Sequence, residues 1–298
     1  MNINKIFIFS VLILLLTMFS CGQMGGGRNT EQASDFREAA EQGDMVAQYN
    51  LARAYALGLG VDVNNERDWY WLLKSGKQGY APAQFRLGVS YYVALVYERA
   101  IYWLRKSAEQ GHMMAQNNLG LLYHSGLDFE QARYWLRKSA KQGSAEAQHN
   151  LGATYKFGNG VNIDYEQANY WFRKAAAQEY AKSQHNLGVA YALGLGVDID
   201  DERVDYWIRK AAEQGFAESQ LALGTMYRSN NLYDERAVYW LRKSAKQGNA
   251  EAQLRLGISY ALAYGVSFNN EQARFWIRKA AEQGNESAGT FLKDVWLE

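Results

Sequence analysis

Apolar and small residues recur along most of the chain in a pattern that fits one face of a helix. The pattern reads small-Gln-x-x-Leu-small-x-x-Tyr, as in Ala147, Gln148, Leu151, Gly152 and Tyr155. The first small residue, the Leu and the Tyr are spaced four residues apart, so they form a single stripe on an α-helix. The sequence therefore predicts seven copies of one helix, which we call helix A.

Glycine follows the leucine of helix A in six of the seven copies, and Ala52 holds this position in the other copy. A glycine inside a helix costs roughly 1 kcal/mol relative to alanine. Because this cost is repeated, we expect a structural need, namely a close approach between two helices. The six residues are Gly88, Gly120, Gly152, Gly188, Gly224 and Gly257.

A second helix, helix B, is predicted around a recurring tryptophan that has an aromatic residue before it and a lysine three positions after it. The tryptophans are Trp71, Trp103, Trp135, Trp171, Trp207, Trp240 and Trp276. In five copies an Asx residue seven positions before the Trp can cap the start of the helix, as Asp164 does before Trp171. A glycine eight positions after the Trp predicts a left-handed helix end, although Glu179 replaces it in the fourth copy. We expect the Tyr and Trp rows to lie in the core rather than to form a ligand platform.

These motifs resemble the Sel1-like repeat, a relative of the tetratricopeptide repeat. The resemblance rests on Ala-x-x-x-Leu-Gly-x-x-Tyr, on Trp-x-x-Lys-Ala-Ala-x-x-Gly, and on Gly-x-Gly-Val at 58–61, 158–161 and 194–197. It implies an all-α fold, an α/α solenoid (superhelix) of about seven hairpins over residues 35–298, with a further helix at each end and 16 helices in total. Copies 2, 3 and 6 lack the glycine pair, so we expect different loops there. The resemblance also implies a protein-binding scaffold.

The first 20 residues have the pattern of a signal peptide. Lys5 and the amino terminus precede a mostly apolar run over 6–19, which would span about 21 Å as a helix and is too short for a hydrocarbon core of about 30 Å. Cys21 follows this run, in a sequence that resembles the lipobox of bacterial lipoproteins. We therefore predict lipidation of Cys21, followed by a flexible tether, so that 21–34 link the membrane to the solenoid.

A lipidated Cys21 implies a membrane-anchored lipoprotein of the bacterial cell envelope. Bacterial lipoproteins with Asp after this cysteine are often kept at the inner membrane. Gly22 here implies the periplasmic side of the outer membrane, if the source is Gram-negative. Cleavage after Gly22 or Gly27 is the alternative, and it would give a soluble secreted or periplasmic protein.

Composition narrows the possible classes of function. One proline and one cysteine in 298 residues exclude proline-rich linkers, disulfide scaffolds and zinc ribbons. A hydrophobic content of 48% excludes disorder for most of the chain. The net charge of +1, which falls to zero without residues 1–20, predicts no attraction to nucleic acid. We expect neither a cofactor nor a metal ion.

The first candidate for a binding surface is a polar row on helix A, three residues after the first small residue. We expect this helix-A row to line the concave face of the solenoid and to bind a partner protein or peptide. The alternative is that these side chains satisfy backbone groups between repeats. The row consists of Asn50, Arg86, Asn118, Asn150, Asn186 and Arg255, with Ala222 in the sixth copy.

The second candidate is an arginine row on helix B, two residues after the Trp, which could bind an anionic envelope polymer or form a solvated face paired with Glu. It consists of Arg105, Arg137, Arg173, Arg209, Arg242 and Arg278. His149 and His185 share one position in adjacent copies, but two histidines without a third ligand do not predict a metal site. The chain has no Gly-x-Ser-x-Gly, P-loop or His-Glu-x-x-His motif, so an envelope enzyme is the weakest alternative.

Overall fold

The computed structural model describes residues 31–296, with side-chain burial described from Phe36 to Asp294. This part of the chain consists of 16 α-helices and contains no strand. None of these helices has the length and the apolar character that crossing a membrane requires. The signal segment and Cys21 lie outside the described residues, and the first helix begins at Glu31, ahead of the predicted boundary at 35.

Seven hairpins, each a helix A followed by a helix B, lie between α1 (Glu31–Glu41) and α16 (Glu286–Trp296), so the predicted all-α solenoid with 16 helices is confirmed for the described residues. The helices A are α2 (Met45–Leu57), α4 (Ala81–Val93), α6 (Met113–Ser125), α8 (Ala145–Phe157), α10 (Ala181–Leu193), α12 (Ala217–Asn230) and α14 (Ala250–Leu262). The helices B are α3 (Asn65–Lys77), α5 (Tyr97–Glu109), α7 (Phe129–Lys141), α9 (Tyr165–Ala176), α11 (Asp201–Glu213), α13 (Glu235–Lys246) and α15 (Asn270–Glu282). The chain divides into two compact units, unit 1 ending at Ser144 and unit 2 beginning at Ala145.

The helix ends follow the sequence signals. All five predicted Asx caps of helix B accept a hydrogen bond from the backbone amide three residues later, as Asp164 does from Gln167 at 2.9 Å. The six predicted glycines at the other end have φ between +85° and +104°. Glu179 adopts the same left-handed region at φ +61°, and its carboxylate accepts from Gln184 and Lys210.

The loops between helix A and helix B differ between copies, as predicted. Copies 1, 4 and 5 use their glycine pairs, all with φ between +65° and +71°. Copies 2 and 3 make a shorter connection in which Leu95 and Leu127 adopt φ +61°. In copy 7, Ala263 takes the position of the first glycine at φ +57°. The backbone of Leu95, Leu127 and Ala263 thus adopts a conformation that favours glycine. The packing of the hairpin therefore determines the conformation of these loops.

The glycines inside helix A allow helix B to approach closely, which confirms the prediction. A Cβ atom at any of the six would lie between 2.4 and 2.7 Å from a side chain of helix B in the same hairpin. That side chain belongs to the residue immediately after each Trp, such as Leu104 facing Gly88 or Ile208 facing Gly188. This position was not among the predicted core positions, although its residues are among the most buried of the described part of the chain.

The tryptophans connect one hairpin to the preceding one. Five of the seven are at most 9% exposed, and Trp71 and Trp207 are half-buried. Trp103 packs with Leu87 of its own hairpin and with Leu72 of the preceding hairpin, and Trp240 packs in the same way with Leu223 and Ile208. Each hairpin therefore buries its apolar residues against its neighbours in the array, as expected for a solenoid.

A ladder of glutamines also joins consecutive hairpins. The buried Gln116 of α6 donates to the backbone oxygen of Ala108 at 3.0 Å and accepts from Gln142 at 2.7 Å. Unit 2 repeats this arrangement, with Gln220 donating to Ala212 at 3.0 Å and accepting from Gln247 at 2.8 Å. Each of these carbonyls also accepts from a backbone amide, Ala108 from Gly111 and Ala212 from Gly215. The ladder therefore adds a second hydrogen bond at the end of helix B and links that end to the next hairpin. The buried glutamine thus bonds a backbone group between repeats, which was the alternative interpretation of the helix-A row.

Candidate binding surfaces

In unit 1 the members of the helix-A row differ in environment. Asn50 and Asn118 are half-buried, whereas Arg86 is only 8% exposed. The Arg86 guanidinium donates to Asp68 on the preceding helix B at 2.7 Å. Burial raises the pKa of the Asp68 carboxyl, although the nearby Arg86 lowers it. Arg86 is therefore occupied within the hairpin stack, and Asn118 is the better-placed member of the row in this unit.

Asn118 lines an open cavity of about 150 Å³ in unit 1. The cavity lies between α4, α5 and α6, and most of its lining is apolar. A cavity of about this size accommodates a group as large as benzene. Asn118, Tyr92 and Ser125 are the lining residues with polar groups, and the other four are apolar. The lining residues are Val89, Tyr92, Leu104, Asn118, Leu121, Leu122 and Ser125.

In unit 2 the row lies beside a half-buried lysine. Lys156 donates to the Oδ1 atom of Asn186 at 2.7 Å, and Asn186 donates to the backbone oxygen of Lys182. Burial lowers the pKa of Lys156. Asn150 is half-buried, and Arg255 is ion-paired with Glu251 at 2.6 Å. This part of the row presents amides and an ammonium group, which are suited to carbonyl and carboxylate oxygens.

His149 and His185 form the same local arrangement in neighbouring hairpins. The Nδ1 atom of His149 lies 2.9 Å from Ser183 Oγ, and that of His185 lies 2.8 Å from Ser219 Oγ. Burial first, and Lys182 and Lys156 next, lower the pKa of His149 to about 4. The described residues contain no group of three His, Cys, Asp or Glu side chains that could hold a metal ion.

Three arginines of the helix-B row are hydrogen-bonded to the next helix A. Arg105 donates to the hydroxyl of Tyr123, Arg209 to that of Tyr227 at 2.9 Å, and Arg242 to that of Tyr260 at 2.9 Å. These bonds join consecutive hairpins and explain why Arg and Tyr recur together in the sequence. The guanidinium groups that make them have a structural role, which weakens the case for a polymer-binding stripe.

The aromatic residue before each Trp does not lie in the core, so this part of the prediction was wrong. All seven residues are between 45% and 53% exposed, and they are Tyr70, Tyr102, Tyr134, Tyr170, Tyr206, Tyr239 and Phe275. The lysine four residues later lies over each ring, with its Nζ atom 4.6 to 5.4 Å from the centroid. Successive helix positions are about 100° apart, so only one of two neighbouring aromatic residues can face the core.

The Sel1 repeat family model matches the chain over residues 46–80, 81–112, 114–144, 145–180, 181–216, 217–249 and 250–285. The crystal structure of c5321, described as a protective antigen present in uropathogenic Escherichia coli strains displaying an SLR fold, is 32% identical with a TM-score of 0.79. That match covers 88% of this chain but only 60% of that one. A Sel1 repeat protein from Oxalobacter formigenes is 33% identical with a TM-score of 0.75, over 88% of this chain and 80% of that one. No curated protein sequence matches the chain.

Proposed function

Because the chain belongs to the Sel1 repeat family, whose members are generally protein–protein interaction scaffolds, we propose that it is an adaptor that binds a partner protein or peptide through the helix-A row. The observation that carries this proposal is the open cavity beside Asn118. Its apolar wall suits one apolar side chain of the partner, and the Asn118 amide suits the adjacent backbone. Binding sites commonly combine an apolar pocket with a few polar groups that fix orientation.

The residues of the helix-A row contribute differently to this binding. Asn118 binds beside the cavity in unit 1, and Asn150 and Asn186 bind carbonyl or carboxylate groups in unit 2 with Lys156. Asn50 and Arg255, in the first and last copies, contact the partner at the two ends of the row. Arg86 is left out of the binding surface because its side chain is buried against Asp68.

A photo-crosslinking amino acid at Ser125 tests the proposed surface, because this exposed residue lines the cavity. The matched control is the same amino acid at Tyr134, which is 48% exposed on a helix B of the same unit. We expect a crosslinked partner in cell envelopes from position 125 only. Changing Asn118, Asn150 and Asn186 together to Ala should abolish the crosslink with melting temperature nearly unchanged, since Ala favours helix. Equal capture at both positions would refute the proposal.

We further propose that the adaptor is a membrane-anchored lipoprotein of the bacterial cell envelope, held by a lipid on Cys21. The support is the single cysteine, which directly follows the apolar run over 6–19 and Ser20. Cys21→Ser should release the protein from the membrane fraction and remove the lipid mass from its N-terminal peptide. An unchanged mass and membrane partition in this variant would show that Cys21 carries no lipid. A mature N-terminus at Gln23 or Arg28 would instead support the soluble alternative.

A further inference from the structure

The loops between helix A and helix B in unit 2 expose large apolar side chains in every hairpin. Leu193 and Ile199 of copy 5 are 63% and 68% exposed. We call these loops, with the first turn of each following helix, the loop edge, and it comprises residues 157–166, 193–203, 231–236 and 262–271. Its other exposed apolar residues are Phe157, Ile163, Leu232, Tyr233, Leu262 and Phe268, at 48% to 67%.

Neighbouring loops of this edge touch each other. Gly196 has φ +65°, and a Cβ atom there would lie 2.6 Å from the carbonyl carbon of Tyr165 in the preceding hairpin. Gly265 has φ +64° and is similarly close to Asp234, where a Cβ atom would lie 2.7 Å from the backbone oxygen. The rings of Tyr233 and Tyr264 are 6.0 Å apart. The loops that carry the exposed side chains therefore lie side by side in two pairs of adjacent hairpins, copies 4 and 5 and copies 6 and 7.

The loop edge is also strongly acidic. It contains nine carboxylates and two arginines, a net charge of −7, in a chain whose total charge is +1. Both arginines are paired with the capping aspartate of their own helix, Arg203 with Asp200 and Arg236 with Asp234. Helix capping accounts for Asp164, Asp200 and Asp234. Helix capping does not account for Asp198, or for the exposed Leu193 and Ile199 in the same loop.

We propose that the loop edge of unit 2 binds a basic amphipathic segment of a partner protein. Exposed apolar residues on adjacent loops favour association because contact removes them from water. The surrounding carboxylates select a cationic partner and steer its approach. They also repel an anionic lipid surface, so a membrane is the disfavoured occupant. The loop edge is separate from the helix-A row. The basic segment therefore binds the loop edge whether or not a partner occupies the helix-A row.

The test uses a fluorescently labelled helical peptide of about 18 residues, roughly five turns, composed of lysine and leucine with one apolar face. Anisotropy measures its binding to the full chain at salt concentrations from about 50 to 300 mM. We expect Leu193→Ser combined with Ile199→Ser to weaken binding by roughly tenfold or more. Asp198→Asn combined with Asp201→Asn should weaken binding mainly at low salt and flatten its salt dependence. Neither aspartate is a helix cap, so this variant tests the surface even if the apolar variant is unstable.

Tyr206→Ser is the matched control, because Tyr206 is 50% exposed on helix α11 outside the loop edge. It should bind the peptide like the unchanged protein. Three results would overturn the proposal: unchanged binding in the loop-edge variants, equal binding of a peptide with glutamate in place of lysine, and a loss of binding in the Tyr206 variant. Binding to phosphatidylglycerol vesicles that is lost on changing Leu193 and Ile199 would identify a lipid surface as the occupant instead.

Discussion

Gly152 on α8 faces Phe172 on α9 so closely that a Cβ atom on the glycine would lie 2.7 Å from the ring. Phe172 is 2% exposed and cannot move away without disturbing the core of unit 2. The contact leaves no room for a Cβ atom, so packing requires glycine at this position although glycine disfavours a helix. The same relationship recurs in every hairpin that has a glycine at this position.

Gly152→Ala should destabilise the protein by about 1 to 3 kcal/mol, since overpacking outweighs the gain in helix propensity. Gly289 on α16 is the matched control, because nothing lies within 4 Å of its potential Cβ atom. Gly289→Ala should stabilise the protein by up to about 1 kcal/mol. Urea unfolding of both variants measures the difference. Stabilisation by both substitutions would show that the hairpins do not need the close approach.

The glutamine ladder should contribute to stability mainly through its buried member. Gln220→Met keeps the side-chain volume but removes two hydrogen bonds, the one to the oxygen of Ala212 and the one from the amide of Gln247. We expect a loss of about 1 to 3 kcal/mol. Gln247→Met keeps the hydrogen bond between Gln220 and Ala212 and changes an exposed side chain, so it should cost less than Gln220→Met. Equal effects in urea unfolding would contradict the asymmetry.

Trp240 should be essential for joining its hairpin to the preceding one. It is 8% exposed and packs with Ile208 and Leu223. Trp240→Ala leaves a cavity and should cost about 3 to 5 kcal/mol. The neighbouring Tyr239 is 51% exposed, and Tyr239→Ala should cost less than about 1 kcal/mol. Similar losses of unfolding free energy in the two variants would mean that the helix phase is wrong.

Protonation of His149 should destabilise unit 2 in mild acid. Its pKa is lowered from 6.5 to about 4 by burial first and by Lys182 and Lys156 next, and Tyr180 packs beside the ring. Because the folded pKa lies below the unfolded one, the unfolded chain binds more protons between these values. Stability is therefore full above pH 6.5 and falls as the pH approaches 4, by roughly 2 to 3 kcal/mol.

The measurement compares urea unfolding of the unchanged protein and His149→Gln at pH 7 and near pH 4.5. Carboxylates titrate alike in both proteins, so the difference between the two pH profiles isolates the histidine. The variant should lose less stability in acid than the unchanged protein. Parallel profiles would show that His149 titrates normally in the folded state.

Local signals in the sequence determined the helices and their ends. The stripe from Ala147 to Tyr155 repeats with the period of a helix, and Asp164 can cap helix B through its own side chain. The close approach at Gly152 was also predictable. Glycine lowers the stability of a helix, and a loss repeated in six copies indicates a contact that compensates for it. These features depend on residues that are near one another along the chain, which is why the pattern alone was sufficient.

Only the tertiary structure decided which side chains are free to bind. Asp68 and Arg86 are 18 residues apart, and Gln116 and Gln142 are 26 apart, so no helical period shows that they meet. The same holds for the loop edge, because the exposure of Ile199 depends on how neighbouring hairpins stack. The sequence alone determined the array and the apolar stripes that build it. The stacking of the hairpins decided which polar residues are bonded inside the array and which remain at its surface. Residues that are far apart in the sequence meet only when hairpins pack against each other.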